Sequence, residues 1–177
     1  LYDHCGEHKL NGPNDIVFDR KGNMWFTDLG KSRSRDMDRG AVYWARPDGT
    51  EIKEVVQPMT TPNGIGLSPD ETILYVAETE AARLFSFPIK GDGLVETLPF
   101  PDSINGGQLV TCDGGFRRFD SLAVEADGNI CVATLMTGGI TVARPTGGTL
   151  EFFETNDPFT TNICFGGGNL RLSLIHI

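Results

Sequence analysis

The sequence has no uninterrupted apolar run near the ~20 residues that a membrane-spanning helix needs, and its basic side chains are few. Its 177 residues hold 15 Lys and Arg against 24 Asp and Glu, which gives a net charge of −9. Nothing in this balance would attract nucleic-acid phosphates or anionic lipid. We therefore expect no nucleic-acid partner and no membrane partner, and the sequence leaves the oligomeric state open.

Common metal-binding and nucleophilic motifs are also missing. Only four cysteines occur, without a Cys-x-x-Cys pair or a preceding secretory signal, so we expect reduced thiols and a cytoplasmic rather than a secreted protein. Cys131 and Cys164 lie in apolar runs and are expected to be buried. His4 and His8 have a zinc-like spacing only in a helix, which Gly6 disfavours. The sequence contains no Gly-x-Ser-x-Gly nucleophile elbow.

Sustained helical periodicity is absent too, whereas turn formers are abundant, with 22 Gly and 10 Pro. Four segments share one pattern, in which a polar Asn or Asp precedes an apolar strand, a polar or glycine turn and a second apolar strand. Further strand pairs lie between these segments. Each repeat therefore holds four antiparallel strands in roughly 40–60 residues, which is the size of a propeller blade. The segments are Asn14–Asp28, Asn63–Glu78, Asp120–Thr134 and the stretch from Asn162 onward.

This repeat predicts an all-β fold, a β-propeller of four-stranded antiparallel blades that is incomplete here, with about three blades and a remnant. A two-sheet sandwich is the alternative, and the regular blade spacing argues against it. Residues 1–171 would form the partial propeller domain, and residues 172–177 would be a truncation or a non-native tail. Because the chain begins at Leu1 rather than Met, we expect the native N-terminus to lie upstream.

Asn14, Asn63 and Asp120 occupy equivalent positions at the starts of three predicted inner strands. Equivalent positions of successive blades converge on the propeller axis, so these side chains are expected to meet there. Their oxygen atoms suit one hard divalent cation, with Ca²⁺ preferred and Mg²⁺, Mn²⁺ or Zn²⁺ as alternatives. A single such residue would more simply cap a turn, but three in repeat register favour a metal site.

These motifs resemble those of the SMP-30/gluconolactonase/luciferin-regenerating-like family, whose members are six-bladed propellers. The similarity runs in the family's order from about Leu10 to Arg171. The stretches that carry it are LNGPNDIVFDRKGNMWFTD, TPNGIGLSPDETILYVAET, RFDSLAVEADGNICVAT and DPFTTNICFGG.

The resemblance implies that Asn63 and Asp120 are metal ligands and that Asn14 lies at the metal or contacts substrate. It places Asn11 and the Thr160–Asn162 segment, including Thr161, at the mouth of a substrate pocket. The family also uses a metal-binding glutamate in an EGP-type motif of its first blade, and this sequence contains no such motif.

The implied activity is metal-dependent hydrolysis of a small-molecule lactone, gluconolactonase-like, with Asp120 as the general base that delivers water. A related propeller esterase or phosphotriesterase is one alternative, since the same cation would polarise a phosphoryl oxygen. A non-catalytic binding propeller is the second, but it predicts apolar, Ser or Thr residues where this chain has Asn and Asp. A structural or calcium-buffering role is the third, and it predicts several acidic loops in place of one axial site.

Overall fold

The computed structural model describes residues 1–166 and the backbone of residues 172–176, all as strands, turns and loops without a helix. This part of the chain therefore has no helix of the length and hydrophobicity that a membrane span requires. The strands are β1 (His4–Cys5), β2 (His8–Lys9), β3 (Pro13–Phe18), β4 (Met24–Asp28), β5 (Gly40–Ala45), β6 (Ile52–Met59), β7 (Pro62–Leu67), β8 (Ile73–Glu78), β9 (Arg83–Gly91), β10 (Leu94–Val95), β11 (Gln108–Cys112), β12 (Arg118–Val124), β13 (Ile130–Leu135), β14 (Gly139–Ala143), β15 (Thr149–Glu154), β16 (Asn162–Gly166) and β17 (Leu172–His176).

The strands form successive antiparallel sheets, each built from consecutive chain segments. The first sheet has the order β3-β4-β5-β6 and the third has the order β12-β13-β14-β15. In the second sheet β7, β8 and β9 follow in order, and both β10 and β11 pair with the long strand β9. The described sheets do not close a ring. This arrangement confirms the predicted all-β, incomplete propeller of four-stranded antiparallel blades.

The hydrophobic core lies between neighbouring sheets, because alternate residues of each strand face opposite sides. One core joins the first sheet to the second, and another joins the second to the third. Six aromatic side chains alternate along the strands, a pattern that predicts packing within the blades, and all six are buried in the structure. They are Trp25, Phe26, Tyr43, Trp44, Phe85 and Phe87.

Inner strands β3, β7, β12 and β16 lie side by side, with β7 against β3 on one side and β12 on the other. Residues 172–176, within the predicted truncation or non-native tail, form strand β17, which pairs antiparallel with β16. The glycine run at 166–168 predicts a strand bend or turn, and its Gly167 and Gly168 lie outside the described residues.

The cysteine expectations are met at one position and not at another. Cys131 is buried, as predicted, and its burial raises the pKa of the thiol to about 12. Cys164 is exposed, so its predicted burial is wrong. It is the neighbour of Ile163 on β16, and it faces the opposite side of the strand, away from the core that holds Ile163.

Candidate active site

The inner strand of each of the first three sheets carries a β-bulge at the same place. On β3 the register shifts between Pro13 and Ile16, so that two inner-strand residues stand where the partner strand has one. The same shift occurs on β7 and on β12. A bulge re-aims the side chains that it contains. The bulge residues are Asn14 and Asp15, Asn63 and Gly64, and Asp120 and Ser121.

The bulges of β7 and β12 bring Asn63 and Asp120 together. The side chain of Asn63 is 5% exposed, and its Nδ2 donates to Thr79 Oγ1 at 3.1 Å. The same amide lies near the carboxyl group of Asp120 and favours its charged form, which lowers its pKa. Asn63 Oδ1 is buried and has no hydrogen-bond partner among the described residues. The amide nitrogen is thus engaged by protein, whereas its oxygen is left available to a ligand.

Gly64 makes this close approach possible. A Cβ at this position would lie 2.4 Å from the backbone oxygen of Asp120 and 2.9 Å from the nitrogen of Leu122. Real Cβ atoms do not approach backbone atoms so closely, so any other residue here would push β7 away from β12. The Asn-Gly dipeptide at the start of β7 therefore supplies both a buried polar side chain and the space that it needs.

The carboxyl group of Asp120 sits in an environment that disfavours its charge. Burial raises its pKa above the ordinary value, and the nearby carboxylate of Asp15 adds to the rise. Hydrogen bonds from Asn63 and from the backbone of Ser121 offset part of that effect. A carboxylate with a raised pKa is a stronger base than a free one, and a bound cation would relieve its unfavourable burial.

Asp15 and Thr27 are further polar residues at this place, and the sequence reasoning did not single them out. Asp15 Oδ2 accepts hydrogen bonds from Ser121 Oγ at 2.7 Å and from the backbone N–H of Ile65 at 3.3 Å. Thr27 is fully buried on β4, and its hydroxyl donates to the backbone oxygen of Asn63 at 2.7 Å. Asp15 follows Asn14 in the PND motif, which was the available signal.

The other predicted residues occupy more varied positions. Asn14 lies in the bulge of β3, and its side chain is exposed. Asn11 lines a separate cavity of about 210 Å³, where its side-chain amide donates to Asp38 and its backbone N–H donates to Asp28 Oδ2 at 2.6 Å. Asn63 and Asp120 thus lie near each other, Asn14 occupies the equivalent bulge of β3, and Asn11 lines a different cavity.

The register of the fourth inner strand differs by one residue from the pattern read in the sequence. The Asn162 Oδ1 atom accepts the N–H of Ile163, just as Asp15 Oδ1 accepts the N–H of Ile16. Asn162 therefore corresponds to Asp15, the second bulge position. Thr161 corresponds to the first position, and its backbone oxygen accepts the N–H of Ser121 at 3.2 Å.

A cavity of about 600 Å³ extends along the inner strands beside this group of residues. It is lined by residues of all four inner strands, including Asp15, Ser121 and Asn162 at its polar end. Towards the other ends of the strands its walls are mostly apolar, with Phe18, Leu67 and Val124 among them, although Ser68 and Glu71 also line it. Asn63 and Asp120 are not among the residues that line this cavity, which begins one residue further along β3 and β12, at Asp15 and Ser121.

The donor set at this site fits an oxygen-preferring cation. Asn63 Oδ1 is a buried acceptor without a protein partner, and it stands beside the carboxylate of Asp120. Within residues 1–166, no group of three or more His, Cys, Asp or Glu side chains could hold a metal ion. Carbonyl and carboxylate oxygens are ligands that suit Ca²⁺, Mg²⁺ or Mn²⁺.

Comparison with known proteins decides the family. The family model described as SMP-30/Gluconolactonase/LRE-like region matches residues 1–175. The chain belongs to this family. The resemblance predicted from the four sequence stretches is thereby confirmed, since the match runs through all of them.

Two staphylococcal lactonases are among the curated relatives of this chain. The protein named lactonase drp35 from Staphylococcus haemolyticus is 35% identical over 135 residues, which are 76% of this chain and 39% of that protein. Lactonase drp35 of Staphylococcus aureus strain USA300 is 34% identical over 134 residues, with the same shares of the two chains. The chain thus spans about two-fifths of the length of these relatives.

Solved structures show the same fold. A gluconolactonase from Xanthomonas campestris superposes with a TM-score of 0.77 at 24% identity, covering 99% of this chain and 57% of its own. Regucalcin from Agrobacterium tumefaciens, described as a calcium-binding protein, gives a TM-score of 0.76 at 21% identity, with coverages of 92% and 52%. At these identities the likeness concerns the arrangement of the sheets, which agrees with the propeller described above.

Proposed function

We propose that the protein hydrolyses a small-molecule lactone at Asn63 and Asp120, with one divalent cation held there. The observation that carries the proposal is the buried Asn63 Oδ1 atom, which has no hydrogen-bond partner among the residues described and adjoins the Asp120 carboxylate. The family match and the lactonase names of the relatives support the reaction class. Ca²⁺ is the preferred cation, and Mg²⁺, Mn²⁺ and Zn²⁺ are the alternatives.

Asn63 and Asp120 would hold the cation, and Asn14 would join them from the neighbouring bulge. A cation bound by these oxygens would polarise the lactone carbonyl and stabilise the negative charge that develops on its oxygen. Two neutral amides and one carboxylate leave the cation with a net positive charge, which favours this electrostatic role. Thr79 fixes the Asn63 amide, and Thr27 fixes the Asn63 backbone, so that the oxygen ligand is held before the substrate arrives.

Asp120 would act as the general base in ring opening. Its carboxylate accepts a proton from water as the water oxygen forms a bond to the lactone carbonyl carbon. The bond between that carbon and the ring oxygen then breaks, and the proton returns from Asp120 to the departing ring oxygen. The product is an open-chain hydroxy acid, so water is the only co-reactant.

Substrate orientation would come from polar side chains near the pair. Asn14 is exposed in the adjacent bulge, and Asn162 lines the cavity of about 600 Å³. Both amides can donate to and accept from the hydroxyl groups of a sugar lactone. Thr161, at the equivalent position of the fourth inner strand, would contribute to the same wall.

The sharpest test is Asp120→Asn in the protein expressed from its complete reading frame. The substitution keeps an oxygen ligand but removes the basic carboxylate, so the cation should still bind while lactone hydrolysis falls by ~10²–10⁴-fold. Proton release from an aldonolactone measures the rate, and calorimetric titration with Ca²⁺ measures the binding. Asp127→Asn is the matched control, because this exposed aspartate lies in the turn beyond the other end of β12 and should leave both values unchanged.

Metal dependence is tested on the same preparation with a chelator, followed by addition of Ca²⁺ or Mn²⁺. Activity should disappear and then return, and in Asn63→Ala excess cation should restore part of the rate because only a ligand is lost. Chelator-insensitive turnover, or near-normal turnover by Asp120→Asn, contradicts the proposal. Hydrolysis of phosphotriesters or simple esters, but not of lactones, would support the related esterase. Cation binding without turnover of any of these substrates would support a binding propeller.

A further inference from the structure

We propose that Asp15 is a positioning residue that locks the inner strands around the Asn63–Asp120 pair and strengthens cation binding through its negative charge. The inference rests on the proposed function, because it concerns the same site. Asp15 is argued to act through Ser121 and Asp120 rather than to touch the reacting atoms.

The contacts of Asp15 join strands that the chain places far apart. Its Oδ2 atom accepts the hydroxyl of Ser121 on β12 at 2.7 Å and the N–H of Ile65 on β7 at 3.3 Å. The backbone N–H of Asp15 donates to Thr27 Oγ1 at 3.2 Å. One carboxylate thereby links the first three sheets at their bulges, where no continuous hydrogen-bond ladder connects inner strands of different sheets.

Ser121 transmits this link to Asp120. Its hydroxyl donates to Asp15, whereas its backbone N–H donates to the backbone oxygen of Thr161 at 3.2 Å and helps to lower the pKa of the neighbouring Asp120 carboxyl. Asp15 is thus hydrogen-bonded to the residue that follows Asp120, and Asn63, which lies near Asp120, is hydrogen-bonded to Thr79 just after β8. A charge-assisted hydrogen bond of this length is among the stronger ones in proteins, so Asp15 should fix the orientation of Ser121 and, through it, of Asp120.

The charge of Asp15 is the second part of the argument. Asp15 occupies the second bulge position of β3. At the equivalent position the other three described inner strands carry residues without an ionisable side chain, namely Gly64, Ser121 and Asn162. Two carboxylates close enough to repel each other make the empty site unfavourable and a bound divalent cation more favourable. A residue that only supported the fold could be neutral at this position, as the other three are.

Three variants in the complete gene product separate hydrogen bonding from charge. Asp15→Asn keeps acceptors for Ser121 and Ile65 but removes the charge. Asp15→Ala removes both, and Ser121→Ala removes the hydroxyl that connects the carboxylates. Asp127→Asn, with the same charge change at the far end of β12, is the control. Each protein is titrated with Ca²⁺ by calorimetry, and exchange of the Ile65 amide hydrogen is followed in the cation-free state.

We expect Asp15→Ala to bind Ca²⁺ ~10–100-fold more weakly, as is typical when a supporting residue of a metal site is lost, and to expose the Ile65 amide to exchange. Asp15→Asn should restore protection of Ile65 while leaving affinity reduced, and Ser121→Ala should reduce affinity with Ile65 still protected. Asp127→Asn should match the wild type in both measurements.

The proposal is overturned if the wild type binds no Ca²⁺ or if both Asp15 variants bind it as tightly as the wild type. It is equally overturned if Asp15→Asn restores the affinity in full, since the charge would then play no part. A wild type that binds Ca²⁺ but opens no lactone would refute the proposed activity and leave the role of Asp15 intact.

Discussion

At the scale of single residues, the site depends on one position where no side chain fits. Gly64 lets β7 approach β12, because a Cβ there would lie 2.4 Å from the backbone oxygen of Asp120. That distance is shorter than any relaxed contact, so the strands must separate or tilt to admit even a methyl group. The separation would occur between Asn63 and Asp120 themselves, which makes this glycine a requirement of the site as well as of the fold.

We therefore expect Gly64→Ala to lower the free energy of unfolding by ~1–3 kcal/mol, as overpacking of a close contact does, and to weaken Ca²⁺ binding. Gly91→Ala is the matched control, since a Cβ at Gly91 meets no atom within 4 Å. In that variant stability should be unchanged or slightly higher, because glycine in a strand is entropically unfavourable. Urea unfolding and calorimetric titration measure the two effects, and equal behaviour of the two variants would contradict the role assigned to Gly64.

At the scale of elements, a buried acid ties the end of β8 to its neighbours. Glu78 is fully buried, with Oε1 accepting the N–H of Thr60 at 2.7 Å and Oε2 lying 2.9 Å from Arg83 Nη2 on β9. Burial raises the pKa of Glu78 above its ordinary value of 4.5, although Thr60 and Arg83 offset part of the rise. The adjacent Thr79 holds Asn63, so this anchored strand end also supports the site.

The raised pKa of Glu78 gives a signed prediction for stability. Above pH 4.5 and up to the raised value, the folded state binds more protons at Glu78 than the unfolded state does. The free energy of unfolding should therefore fall as pH rises through this window, by at most ~1.4 kcal/mol per pH unit. The Glu78→Gln variant should lack this component, and urea unfolding of both proteins at several pH values gives the difference. A difference that grows in favour of the wild type with rising pH would contradict the assignment.

The registers of the inner strands show which repeat positions the sequence pattern predicts correctly. The sequence placed Asn14, Asn63 and Asp120 in one repeat register, and the structure finds all three in equivalent bulges. Asn162 belongs to the second position rather than the first. The error of one residue arose because polar Thr161 and Asn162 both precede the apolar run, and composition alone cannot show which of them a strand will aim inward.

At the scale of the whole molecule, cohesion comes from apolar layers between sheets. Phe119 is fully buried in the core that joins the second and third sheets, and it immediately precedes Asp120. Because each sheet contacts mainly its neighbours along the chain, loss of one interlayer side chain should loosen two sheets together. The position of Phe119 also means that packing between sheets fixes the backbone that carries the proposed base.

We expect Phe119→Ala to lower the free energy of unfolding by ~3–5 kcal/mol and to speed amide exchange in both β8 and β13. Phe116→Ala is the control of the same chemistry, because Phe116 is 72% exposed and its loss should change stability by no more than ~0.5 kcal/mol. Urea unfolding and hydrogen exchange provide the measurements. Faster exchange confined to β13 would show that the second and third sheets unfold independently.

The sequence by itself determined the strands, their grouping into four-stranded units and the family, because apolar alternation and turn residues are local properties that recur in each repeat. It also indicated Asn63 and Asp120 through their repeat positions. Only the tertiary structure decided that these two side chains touch, that Gly64 makes room for them and that Asp15 links the sheets through Ser121. Those facts depend on bulges and on contacts between separate sheets, which arise from packing residues distant in the chain and leave no periodic signal in it.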